Sequence, residues 1–178
     1  MRIKRKSMIA ACLSGSLLVS LIAASAANAH VEFNPDSVVA NKHQVLSLVV
    51  PHDCSATSKT TEIKIQLPGN FDIKTFSPVG VFQHGKALKS WTEKLVTSGG
   101  KSYVDIKGPG IMAGPDMGAN AVTLKFNATT PSTKGAQLKF PAVQYCTGGG
   151  SVSWIQPRPT DGSDPAESAK PVPVLNLK

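Results

Sequence analysis

The chain has 178 residues, with 19 Lys and Arg against 11 Asp and Glu and a formal net charge of +8. Arg2, Lys4, Arg5 and Lys6 account for much of that excess: residues 30–178 carry 15 basic and 11 acidic side chains, a net +4 scattered along the sequence. This excludes a nucleic-acid footprint, and no apolar run after residue 29 approaches membrane-spanning length.

The first element reads as a secretory signal. A basic segment, Arg2 to Lys6, precedes an apolar stretch from Met8 to Ala24, and Ala27-Asn28-Ala29 fits the small-residue cleavage pattern. Cleavage after Ala29 is expected, leaving residues 30–178 as one domain, periplasmic or secreted, with no membrane span. The apolar stretch is short for a retained anchor. It also follows Cys12 instead of preceding it, which argues against a lipoprotein box.

Cleavage there makes His30 the first residue. An N-terminal histidine offers a metal its α-amine, its Nδ1 and the next backbone amide. An amine titrating near about 8 and an imidazole near about 6.5 both release lone pairs at modest cost at neutral pH. Copper(II) favours nitrogen-rich tetragonal sites and stands at the top of the divalent affinity order.

The rest of the chain reads as short strands. Val45–Val50 is a β-branched and aliphatic run ended by Pro51, and Thr61–Leu67 alternates with period two until Pro68-Gly69. Val79–Gln83 is a shorter candidate. Lys89–Val96, around Trp91, pairs with Tyr103–Ile106 across Ser98-Gly99-Gly100. Ala121–Phe126, Leu138–Phe140, Ala142–Tyr145 and Ser151–Ile155 follow, the last pair joined by Gly148-Gly149-Gly150. Pro157–Lys170 reads as a long surface loop, and Pro173–Leu177 as a final edge strand. No window beyond the signal sustains helical periodicity. The pattern predicts an all-β fold: an antiparallel β-sandwich, immunoglobulin-like.

Two cysteines remain after cleavage, Cys54 and Cys146. An isolated pair in an exported protein points to a disulfide, with a dithiolate metal or redox site as the alternative. The loop would span about 90 residues, worth about 4 kcal/mol in the chain-entropy model.

Taken in order, His30-Val31, Val50-Pro51-His52-Asp53-Cys54, Ile65-Gln66-Leu67-Pro68-Gly69, Gln144-Tyr145-Cys146, Ser153-Trp154-Ile155 and Lys170-Pro171-Val172-Pro173-Val174-Leu175 resemble the YcnI-like domain family of exported bacterial proteins. The resemblance spans nearly all of residues 30–178. It implies a β-sandwich that binds copper outside the cytoplasm, in acquisition, trafficking or buffering. The implied site is a brace built from one histidine, with a tryptophan close by and a carboxylate assisting. Carried onto this chain, the histidine is His30 and the tryptophan Trp154. The carboxylate has no aligned motif. Some members end in a membrane helix, which this sequence lacks, so a diffusible protein is expected.

Three further side chains are candidates for the site. Glu32 shares a strand face with His30 at i, i+2. His52 and Asp53 precede Cys54, and a bridge to Cys146 would bring them near Trp154. Each has an ordinary alternative: a solvated carboxylate for Glu32 and Asp53, a loop hydrogen bond for His52, a core position for Trp154. Trp91 reads as packing, and His43 and His84 as solvated. Met112 and Met117, two thioethers beside a Gly/Pro loop, are too few for a convincing copper(I) site.

The expected function is therefore non-enzymatic: an exported protein that carries or buffers Cu(II) and hands it to another exported copper chaperone or transporter. Two alternatives belong to other classes. A copper-dependent oxidative enzyme would need a second brace histidine and a broad aromatic face. A metal-free structural or adhesive sandwich would need neither.

Overall fold

Alternation of apolar and polar residues decides which side of each strand is buried. The computed structural model describes residues 30–111, 120–161, 163, 165, 166 and 168–178. The signal with Ala29, and Met112 and Met117, lie outside the described residues. In chain order the strands are β1 (Glu32–Phe33), β2 (Ser37–Val38), β3 (His43–Val50), β4 (Thr60–Gln66), β5 (Asp72–Gln83), β6 (Lys86–Ala87), β7 (Thr92–Ser98), β8 (Lys101–Ile111), β9 (Val122–Thr129), β10 (Gln137–Lys139), β11 (Ala142–Cys146), β12 (Ser151–Trp154) and β13 (Val174–Leu177).

They form two five-stranded antiparallel sheets, ordered β1-β3-β9-β5-β6 and β12-β11-β4-β8-β7, and a small third sheet, β10-β13-β2. The core lies between the inward faces. Leu46, Leu48 and Val50 of β3 and Val122, Leu124 and Phe126 of β9 come from one sheet. Ile63 and Ile65 of β4 and Val104 and Ile106 of β8 come from the other. Leu138, Leu175 and Leu177 of the third sheet join the same cluster. The expected antiparallel, immunoglobulin-like β-sandwich is the fold.

The expected Cys54–Cys146 disulfide is present, with Cα atoms 6.1 Å apart. It ties the loop after β3 to the end of β11. Cys146 lies opposite Thr60 of β4 in register, so one covalent bond gathers three segments at one end of the sandwich.

Three expectations change. Pro173–Leu177 is not an edge strand: β13 runs down the middle of the third sheet, antiparallel to β10 and parallel to β2. Its partners are too short for a period-two signal. Trp91 precedes β7 in a turn, its N–H donating to the Leu88 carbonyl at 3.1 Å. Its ring packs on Gly108 so closely that a Cβ there would lie 2.3 Å from the indole. Val79–Gln83 is the end of the twelve-residue β5.

Glu93 of β7 is the unusual ionisable group in the sandwich. Burial pushes its carboxyl up to about 7, and the backbone of Gly80 and Val79 offsets this only partly. Neither carboxylate oxygen has a well-formed hydrogen bond.

Candidate metal centre

The inward positions of β11 are Ala142, Gln144 and Cys146. Gln144 is a fully buried amide where the pattern calls for an apolar residue, and such a group is tolerated only when its donors and acceptors are matched. Its Nε2 donates to the His52 carbonyl at 2.8 Å and to Thr60 Oγ1 at 2.7 Å. Its Oε1 accepts from Trp154 Nε1 at 3.3 Å. Thr60 in turn donates from its backbone N–H (3.0 Å) and its hydroxyl (2.6 Å) to Asp53 Oδ1. The chain Trp154–Gln144–Thr60–Asp53 is thus a continuous buried network beside the disulfide.

Trp154 is wholly buried, a core tryptophan as well as a candidate site residue. The ring of His52 lies 5.5 Å from it, centroid to centroid, tilted by 49°. His52 Nδ1 approaches the Asp53 carbonyl at 2.7 Å. A carbonyl only accepts, so Nδ1 carries the proton in that contact and Nε2 is the lone-pair nitrogen of the neutral ring. The loop hydrogen bond expected of His52 is therefore present. Asp53 is buried, with Oδ1 committed to Thr60.

His30 precedes β1, whose Glu32 pairs with Val49 and Phe33 with Leu48 near the end of β3 that leads on to His52. The His30 ring is buried, and its Nε2 contacts the Ala166 carbonyl at 3.1 Å. By the same reasoning Nε2 is the protonated nitrogen and Nδ1 keeps the lone pair. Four residues on, Lys170 Nζ stands 5.0 Å from the Trp154 ring centroid. Ala166 and Lys170 therefore each touch one of the two residues carried over from the family resemblance.

Glu32 lines the same cavity as His30, about 490 Å³ in volume, together with Asn34, Asp36 and Val49. Its Oε1 is paired with Arg158 Nη2 at 3.0 Å, so it is not a bland solvated carboxylate. His43 and His84 are exposed, as expected; His84 lines a neighbouring cavity that shares Asn34 and Val49 with that of His30.

The donor set can be tested against copper. Among the described residues no three His, Cys, Asp or Glu side chains cluster as a ligand set; a site at His30 would draw on main-chain nitrogen as well. His30 suits that use: the Nδ1 that would close a chelate with an α-amine at the same residue is the one left with a lone pair. Its Nε2–H is anchored on a carbonyl, the usual outer partner of a ligating histidine. The residues fit a nitrogen-rich copper site.

Gln144, Thr60, Arg158 and Lys170 were not anticipated as neighbours of the site. Gln144 and Lys170 lie in segments that carry the family resemblance. A polar residue at an inward strand position was the available signal for Gln144. Nothing local marks Thr60 or Arg158.

A family model described as "Domain of unknown function (DUF1775)" matches residues 30–177. Among solved structures, the chain is similar to a protein of Nocardia farcinica with an immunoglobulin-like fold. The two are 24% identical over 84% of this chain and 98% of that one, with a TM-score of 0.57. The Corynebacterium diphtheriae major pilin SpaA is 12% identical, over 77% of this chain and 33% of the pilin, with a TM-score of 0.40. The Actinomyces fimbrial adhesin FimA is 15% identical, over 81% and 54%, with a TM-score of 0.39. No curated protein matches the chain.

Proposed function

We propose that this chain, which belongs to the DUF1775 family, is an exported copper-binding protein that holds Cu(II) at its processed N-terminus. Removal of residues 1–29 creates the α-amine. His30 then supplies that amine and Nδ1, the next amide completes the nitrogen set, and the indole of Trp154 shields the ion. Glu32 is the favoured assisting carboxylate, because it lines the cavity that His30 lines; Asp53 and His52 have structural tasks beside it.

The observation that carries the reading is the 3.1 Å contact of His30 Nε2 with the Ala166 carbonyl. It fixes the tautomer that chelation through Nδ1 requires. A site with so few protein ligands leaves coordination positions open for exchange, which suits a carrier passing its ion to an exported chaperone or transporter. The reading is of a binding protein; a copper-dependent oxidative enzyme, which would need a second brace histidine, is the alternative.

The test is a Cu(II) titration of the chain beginning at His30, beside a chain with one extra residue before it, followed by paramagnetic resonance. One tight, nitrogen-rich equivalent in the first and not the second is expected. Equal weak binding by both refutes the reading and favours a metal-free sandwich.

A further inference from the structure

Trp154 has no exposed surface, yet the resemblance would set copper beside its ring. What covers part of that ring is itself a cation. Resting on the copper reading above, we propose that Lys170 is the resident cation of the Trp154 face and lowers the affinity of the site for copper.

The ammonium lies 5.0 Å from the ring centroid, within the range at which the electron-rich face of an indole attracts a positive charge. Its main chain is fixed from both sides. The Lys170 N–H donates to Gln156 Oε1 at 2.7 Å, and the Lys170 carbonyl accepts from the Gln156 N–H at 3.0 Å. Gln156 is two residues from Trp154, so the backbone of Lys170 is held beside the ring while its flexible four-carbon stem stays able to rotate. The ammonium can therefore leave the face without any movement of the chain. His30 is bonded to Ala166, four residues before Lys170, and the copper reading sets the ion between His30 and the Trp154 ring, the face on which this charge stands.

A Cu(II) ion in the site either displaces the ammonium from the indole or tolerates it nearby. Both lower the apparent affinity. Repulsion between like charges in a water-like dielectric costs on the order of five- to tenfold in the binding constant. Displacement adds the loss of the cation–π contact.

The experiment compares the chain beginning at His30 with its Lys170→Met and Lys170→Arg variants, by Cu(II) competition titration against a chelator of known affinity at low and high salt. Methionine keeps a flexible apolar stem without charge; arginine keeps the charge. The expected result is five- to tenfold tighter copper binding in Lys170→Met, none of that gain in Lys170→Arg, and a gap that narrows as salt rises. Tryptophan emission of the metal-free proteins should also shift in Lys170→Met, reporting the lost ammonium. If the unsubstituted chain binds one tight equivalent and Lys170→Met binds equally or more weakly, the role of Lys170 is overturned and the copper reading stands. If none of the three binds tightly, the copper reading fails and takes this inference with it.

Discussion

Replacing Gln144 by leucine tests whether the buried polar network positions Trp154. The two side chains are similar in volume, so no large cavity opens. The substitution deletes the acceptor of the Trp154 indole N–H and the donor to the His52 carbonyl and the Thr60 hydroxyl. Thr60 keeps its bonds to Asp53 Oδ1, so the loss concentrates on the indole N–H and the carbonyl. An unmatched buried group costs about 1–3 kcal/mol. Two of them, offset by the extra apolar burial of leucine, give a net loss of about 2–4 kcal/mol. In urea, with a slope of about 2 kcal/mol/M, the midpoint should fall by about 1–2 M at unchanged slope. Thermal unfolding should drop by roughly 5–15 °C. If Gln144→Leu unfolds at or above the original midpoint, the network is not what holds Trp154, and the indole is placed by packing alone.

Gly108→Ala should destabilise the fold by about 1–3 kcal/mol, because the new methyl would overlap the Trp91 ring at 2.3 Å and ring and strand must part; an unchanged melting temperature would refute that packing. Glu93 carries a pH prediction. Its carboxyl sits at about 7 in the fold against an ordinary 4.5, so the fold favours the neutral acid. Stability from this group is greatest below about pH 4.5, declines as pH rises toward 7 and then levels off. The full gap corresponds to at most about 3 kcal/mol, reduced by partial solvent access to about 1–2 kcal/mol. Glu93→Gln should therefore stabilise the protein at pH 8 and leave it unchanged at pH 4, measured by urea unfolding at both values; equal effects at the two would sink the argument.

The long strands were legible because each has one buried face. His43–Val50 and Val122–Thr129 alternate without interruption, and Pro51 and Gly148 to Gly150 end runs where the chain turns. The strands β1, β2 and β6 have two residues each, too few for any period to register. Pro173–Leu177 carries a strand pattern but no mark of its central place in the third sheet, since sequence spacing holds no information about which segments flank it. At the site, His30 stood out through its position after Ala29, and Cys54 with Cys146 through cysteine arithmetic. Gln144 and Lys170 lie within segments that resemble the family, but their tasks depend on register: Gln144 acts diagonally across β11 and β12, and Lys170 across the Gln156–Pro171 bridge. Such tasks appear only when distant segments are placed side by side. Arg158 and Ala166 belong to a stretch whose Pro, Asp, Ser and Ala content reads as plain surface loop.

The charges around His30 bear on what kind of copper protein this would be. Glu32 is held by Arg158 at 3.0 Å, Asp53 Oδ1 by Thr60, and the Trp154 face by the Lys170 ammonium. Signal cleavage would add an amine, and the metal would bring two further positive charges. A Cu(II) ion at His30 would compete with Arg158 for Glu32 and, where it approached the indole, with Lys170 for the Trp154 face. Under the copper reading, each exchange would replace an interaction already made, so the site would hold copper less firmly than the same ligands in isolation. Weakening of that kind would suit a carrier, because the displaced cations would reclaim Glu32 and Trp154 once a partner offered the ion a better ligand.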